Sequence, residues 1–157
     1  MSKIWESNID EFLLFAHKHQ VRMLMVGGGA VNFHGYQRHS ADVDFWIDTS
    51  EENLERLLTV LREMGYDLNE FPSEVKDQKQ NISIKFSPAD INLELITKFD
   101  INKSFDEAYE ESVEVVIGEV KLMKYHVLSL DDLITSKIKS GRPKDLLDVM
   151  ELKRIHG

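Results

Sequence analysis

Two aspartates one residue apart, Asp42 and Asp44, open an otherwise apolar run, Asp-Val-Asp-Phe-Trp-Ile-Asp, at positions 42–48. On a strand, alternate side chains leave the same face, about 6–7 Å apart along the backbone. Two carboxylates placed this way can converge on one or two hard cations. Mg²⁺ suits them, since it takes oxygen ligands and keeps positions open for phosphate. Acids in an apolar strand are costly without a partner, so a metal ion or an arginine must answer them. Taken alone, Asp-x-Asp also fits an ordinary strand end.

The residues upstream narrow the choice. Val26-Gly27-Gly28 closes a short apolar run, Gly29-Ala30 opens a predicted helix, and thirteen residues separate Gly28 from Asp42. Glycine lets backbone amides approach an anion, and a helix start adds a favourable partial charge. Gly27 and Gly28 are therefore candidate nucleotide-binding residues. A dinucleotide fingerprint would require glycine at 32, where Asn32 stands, and no Gly-Lys-Ser/Thr follows to make a phosphate-binding P-loop.

Basic residues gather late in the chain. Lys137, Lys139, Arg142, Lys144, Lys153 and Arg154 are six of the 19 lysines and arginines. Lys137 and Arg142 are of the type that neutralises a triphosphate or an acceptor. Asp145 and Asp148, at helical spacing, can equally pair with Arg142 or Lys144, and the strip also reads as a solvated helix face. His34 and His39 are not spaced like a zinc pair, and His39 reads as an exposed loop histidine. Phe12, Phe15, Phe45 and Trp46 read as core.

These residues must be carried by definite elements. Periodicity predicts a helix over 3–19, a buried strand over 21–26 and a short helix from Ala30 to Tyr36. A strand follows over 42–48, then a helix from Ser50 to about Met64, stopped by Gly65. Strands are expected at 81–86 and 91–97, joined through Ser87-Pro88-Ala89-Asp90, and a short acidic helix over 103–111. Segments 113–117 and 120–125 read as a hairpin turning at Gly118-Glu119. Ser129 with Asp132 begins one C-terminal helix, Gly141 ends it, and Pro143 suits the first turn of another. Such a mixture predicts an α/β (α+β) domain, a mixed sheet packed by helices.

With 157 residues the chain suits one domain, spanning 1–157. It is 42% hydrophobic and 30% charged, as in soluble globular proteins, with no apolar run of bilayer length and no signal-peptide pattern. A membrane role is thus not expected. The absence of cysteine excludes disulfides and thiolate metal sites and suits a cytoplasmic location. A net charge of −9 argues against broad nucleic-acid binding through the phosphate backbone.

The string Gly-Gly-Gly-Ala-Val-x-x-His-Gly-Tyr-x-Arg-x-Ser-x-Asp-Val-Asp, residues 27–44, resembles the DNA polymerase β superfamily of nucleotidyltransferases. The likeness is greatest to its abortive-infection toxin and small antibiotic nucleotidyltransferase branches, which often carry an arginine where Arg38 stands. The tail from Lys137 to Asp148 resembles the abortive-infection branch as well. The resemblance implies a nucleotidyltransferase fold with C-terminal helices, and two Mg²⁺ ions held by Asp42, Asp44 and a third acid. Leu93-Glu94-Leu95 fits that third position, where many relatives have aspartate, and the acid there usually takes the proton of the attacking hydroxyl. Arg38 and Lys137 join Gly27 and Gly28 as nucleotide-binding candidates. The implied reaction moves a nucleoside monophosphate from an NTP to an acceptor hydroxyl on a small molecule, an RNA or a protein. A homodimer or a partner subunit is a further expectation. Because Glu94 departs from the common aspartate, the alternative is a weak or inactive nucleotide- or protein-binding member, such as half of a toxin–antitoxin pair.

Overall fold

The structure is a computed structural model describing residues 7–40, 42–86, 91–118 and 122–157. The predicted start of the first helix (3–6), the 87–90 connection and the hairpin segment 119–121 lie outside the described residues. Six strands, β1 (Met23–Val26), β2 (Asp42–Ile47), β3 (Ile82–Ile84), β4 (Asn92–Ile96), β5 (Val113–Ile117) and β6 (Met123–Val127), form one sheet in the order β3-β4-β2-β1-β6-β5. β2 runs parallel to β4 and β1 parallel to β6, while the β1–β2, β3–β4 and β5–β6 pairs are antiparallel. The sheet is therefore mixed, as the sequence pattern implies. Seven helices are described: α1 (Ser7–Lys18), α2 (Gly27–Phe33), α3 (Glu51–Glu63), α4 (Ser73–Lys76), α5 (Phe105–Glu110), α6 (Leu130–Ser140) and α7 (Pro143–His156). Among the described residues, no helix is long and apolar enough to cross a membrane.

Local chemistry sets most of the boundaries. Ser50 accepts a hydrogen bond from the Asn53 amide, and Ser104 and Glu107 form a reciprocal capping box at the start of α5. Ser129 caps α6 through the Asp132 amide, and Gly141 ends it in the left-handed region at φ 67°, where a side chain would be strained. Pro143 then stands in the first turn of α7.

Alternation along β2 divides its side chains between two faces. Val43, Phe45 and Ile47 enter the core, where Phe45 meets Phe12 of α1 with ring centroids 6.1 Å apart. Trp46 faces the other way, against Phe99 and Phe105. Asn53, only 1% exposed, ties α3 to the sheet: its side chain accepts from the Arg22 amide at 2.7 Å and donates to the Arg22 and Asp48 carbonyls. That bracket lies just before β1, which begins at Met23 rather than at the predicted Val21.

Three further differences from the sequence reading have physical causes. α2 begins at Gly27, not Ala30, because Gly27 alone makes the turn out of β1 at φ +62°. Gly28 and Gly29 are then free to be helical, and their bare α-carbons allow Ser40 and Met25 to pack close. β6 spans Met123–Val127, later than the predicted 120–125, and its pairing with both β1 and β5 places Tyr125 and Val127 in the core. The short α4 was not foreseen; its one buried residue, Val75, anchors it.

Since Phe45 is fully buried between α1 and the sheet, Phe45→Ala should lower stability by about 3–5 kcal/mol. Urea or guanidinium unfolding measures it, and a loss below about 1 kcal/mol would show that the site collapses around the vacancy.

Candidate active site

Strand register places the acids on one face of the sheet. On parallel β2 and β4, Asp44 pairs with Glu94 and Asp42 with Asn92. Opposed residues share a sheet face, and Asp44 also opposes Val26 while Glu94 opposes Ser83. Ser83, Glu94, Asp44 and Val26 thus form one row across β3, β4, β2 and β1. Asp42 lies one step along from Asp44 on the same face, at the exposed end of its strand. Ser83 Oγ donates to Glu94 Oε2 at 2.5 Å and holds that carboxylate in the row.

Charge accumulates at this point. Burial pushes the Asp44 carboxyl up to about 6, and the negative charges of Asp42 and Glu94 push the same way against the pull of Lys137 and Lys144. The chain passes very close to Asp44 at the glycine turn: a Cβ on Gly27 would lie 2.3 Å from Asp44 Oδ2. Glycine is required there on two grounds, since the positive φ disfavours any side chain as well. One residue on, a Cβ on Gly28 would come within 2.6 Å of Ser40 Oγ. Ser40 in turn donates to the Asp42 carbonyl at 2.8 Å, linking the turn to the start of β2.

Behind the acids stands a network of opposite charges. Arg38 grips Asp148 through two nitrogens, Nε 2.9 Å from Oδ1 and Nη2 3.1 Å from Oδ2. Lys137, 7% exposed, lies 3.1 Å from Asp148 and 3.3 Å from Asp145. Asp145 also accepts from Arg142 Nε and Ser140 Oγ, both at 2.7 Å. Burial works to raise the Asp145 carboxyl, but these hydrogen bonds and the Lys137 charge outweigh it and hold it at about 2. The late basic strip is therefore divided. Lys137 is sequestered by α7, whereas Arg142, Lys144, Lys153 and Arg154 are exposed. Asn32 positions the Arg38 main chain, its Oδ1 accepting from the Arg38 amide at 3.0 Å.

Of the candidates read from sequence, Asp42, Asp44, Glu94 and Gly27 meet at one end of the β1–β2–β4 strands. Arg38 and Lys137 meet each other on Asp148, and their charged ends are already engaged there. Sequence reasoning missed Ser83, Ser40 and the influence of Lys144 on Asp44. Ser83 carried a signal, a lone hydroxyl between Ile82 and Ile84, but its neighbour on β4 depends on register. His34 bonds the Leu128 carbonyl through Nε2 at 2.8 Å, which accounts for it structurally.

The donor set suits a hard divalent cation: carboxylate oxygens on one face, with the bare Gly27 main chain packed directly against Asp44. Among the described residues, no group of three or more His, Asp or Glu side chains is gathered closely enough to hold a metal ion. The arrangement thus has the chemistry of such a site, and its side chains stand apart.

Residues 6–155 match a protein family described as "Nucleotidyltransferase of unknown function (DUF6036)". No curated protein matches the chain.

The raised Asp44 carboxyl has a definite consequence for stability. A folded-state value above the unfolded one means the native state binds the proton more tightly, so stability is full below about 4 and falls as pH rises through about 6. In metal-free buffer Asp44→Asn should therefore be more stable than the parent at pH 7–8, with the difference vanishing towards pH 4. Thermal unfolding across that range checks it; a pH-independent difference would contradict the assignment. Gly27→Ala should cost at least about 1–2 kcal/mol, because both the backbone and the Asp44 contact are strained. Denaturant titration measures that loss.

Proposed function

The chain belongs to the DUF6036 family of nucleotidyltransferases of unknown function, and from that premise we propose that it transfers a nucleoside monophosphate from an NTP to an acceptor hydroxyl. The observation that carries this reading is the in-register pairing of Asp44 with Glu94 beside the Gly27 turn. Acids on adjacent strands beside a glycine turn give a phosphoryl-type centre what it needs: anionic metal ligands next to main-chain amides at a helix start.

Asp42, Asp44 and Glu94 would hold two Mg²⁺ ions, closing on them by side-chain rotation. When bound, the ions neutralise phosphate charge and stabilise the attacking and leaving oxygens of an in-line displacement. The Gly27 and Gly28 main chain offers amides to the phosphates, with Ser40 keeping the turn against β2. Glu94, steadied by Ser83, takes the proton from the acceptor hydroxyl. That oxygen forms a bond to the α-phosphorus while the bond to pyrophosphate breaks, and pyrophosphate leaves. Lys137 is too buried to follow a substrate. It and Arg38 act as a fixed positive background, anchored by Asp145 and Asp148, that lowers the cost of gathering acids and phosphates together.

Asp42 is exposed, so the acceptor approaches from solvent at that end. The net charge of −9 disfavours a polynucleotide held by its backbone. A hydroxyl on a small molecule or a protein is the better match.

NTP consumption measured with Mg²⁺ and a panel of hydroxyl acceptors tests the proposal. Turnover should vanish in Asp42→Ala/Asp44→Ala, and parent and variant behaving alike would refute it. Glu94→Gln should lower kcat by roughly 10²–10⁴-fold with little change in KM for the NTP, as loss of a general base does.

A further inference from the structure

A second charged feature lies at the other end of the same strands. A cavity of about 530 Å³ opens where α1 ends and β1 begins, within the range typical of small-molecule sites. Among the described residues, its wall includes Lys18, Arg22, Arg56 and Lys124 together with His17 and His126, and no aspartate or glutamate. In a chain with 28 acids against 19 lysines and arginines, four full cations are gathered on one wall whose described residues include no acid.

The ordinary structural account covers only part of this. His17 and Lys18 stand in the last turn of α1, where cations answer the negative end of the helix dipole. Arg22 comes from the segment before β1, Arg56 from α3, and Lys124 and His126 from β6. Separate elements thus deliver cations to one hollow, which no single helix end requires. Carboxylates outside this wall pair with the four cations: Asp48 and Asp106 with Arg22 at 3.2 and 2.8 Å, Glu63 with Lys18 at 3.7 Å, Glu52 with Arg56 at 4.0 Å and Glu114 with Lys124 at 3.8 Å. Asp106, Glu52 and Glu114 are half exposed or more, and exposed pairs of this kind contribute little, whereas Asp48, 17% exposed, stays as the anchor of Arg22. An anion can displace those three cheaply while Arg22 keeps its bond to Asp48.

Arg22 is also held in place before any ligand arrives. Asn53 brackets its main chain on both sides, accepting from the amide at 2.7 Å and donating to the carbonyl at 2.9 Å. Its guanidinium lies over the Tyr109 ring, 4.9 Å from the centroid. Little conformational freedom is left for binding to remove. Gln20, on the same wall, keeps a left-handed backbone at φ 56°, a conformation that carries strain in a residue other than glycine.

We propose that this cavity binds a small phosphate-bearing organic anion of about mononucleotide size, at a site separate from the acid row. Arg22 and Gly27 are the two ends of a five-residue step through β1, roughly 17 Å at strand rise. The site's ligand chemistry follows from its cations and its volume and is independent of the transfer reaction.

The test uses the full chain in EDTA, so that the acid row, without metal, repels anions. AMP and inorganic phosphate are titrated separately, with amide shifts followed by NMR and affinities by calorimetry. AMP should move Arg22, Tyr109 and His126 signals, leave Gly27 and Asp44 unmoved, and bind at least tenfold tighter than phosphate, which fills little of the volume. Arg56→Gln/Lys124→Gln, on two partly exposed side chains, should weaken AMP at least tenfold while the thermal midpoint stays near that of the parent. Asp44→Asn should leave AMP affinity unchanged. Shifts confined to the Gly27 turn, equal affinity for AMP and phosphate, indifference to the double substitution, or no binding at millimolar AMP would each overturn the proposal. None of these readouts depends on turnover, so failure here and failure of the transferase reading are separable.

Discussion

The contact between Gly27 and Asp44 leaves no room for even a methyl group, and the architecture of the acid end is arranged around it. β1 must stop at Val26 so that the chain can turn at a positive φ, and the turn must be bare so that Asp44 can lie against it. Ser40 then fills the space beside Gly28 and bonds the main chain of Asp42. A single missing Cβ thus couples the end of β1, the start of α2 and the start of β2. The result is a carboxylate half withdrawn from water beside a half-buried glycine turn, which is a poor place for an unanswered charge.

Such a site has to be stabilised from elsewhere. Three like charges at one strand end oppose folding, and the fold offsets them with cations behind the row. Those cations bring their own difficulty, because a buried ammonium or guanidinium without a partner is strongly destabilising. α7 supplies the partners. Asp145 and Asp148 are both buried and accept from Lys137, Arg38 and Arg142. The C-terminal helix is therefore tied to the Arg38 segment, which leads directly into β2, by charge as much as by apolar packing. Five groups pair with one another, three positive and two negative, and Lys137 among them also draws on the Asp44 carboxyl.

The sheet separates charges along its strands. Acids gather where β1 ends and β2 begins; cations gather where β1 begins, around Arg22. Between them runs an apolar strand whose four residues are all buried. That apolar layer lies between the two regions, and the cations at the far end are answered by carboxylates of their own, Asp48 and Asp106 on Arg22 among them.

Much of this was legible in the residue order. Asp42-Val-Asp44 fixes two acids on one face because strand alternation has a period of two, and Val26-Gly27-Gly28 announces a turn because glycine tolerates what other residues do not. The mixed α/β character, the Ser50, Ser104 and Ser129 helix starts and the Gly141 stop follow from local rules of the same kind. Those rules reach only a few residues along the chain. That Glu94 is opposite Asp44, that Ser83 is opposite Glu94, and that Arg38 meets Asp148 across 110 positions are consequences of register and packing, which depend on how the whole apolar surface is buried at once. Residue order alone set which chemistry was on offer. Tertiary structure decided which charges face each other, which are spent on α7, and that the basic hollow lies at the far end of β1, because contacts distant along the chain are set by the global burial of the sheet and not by any local preference.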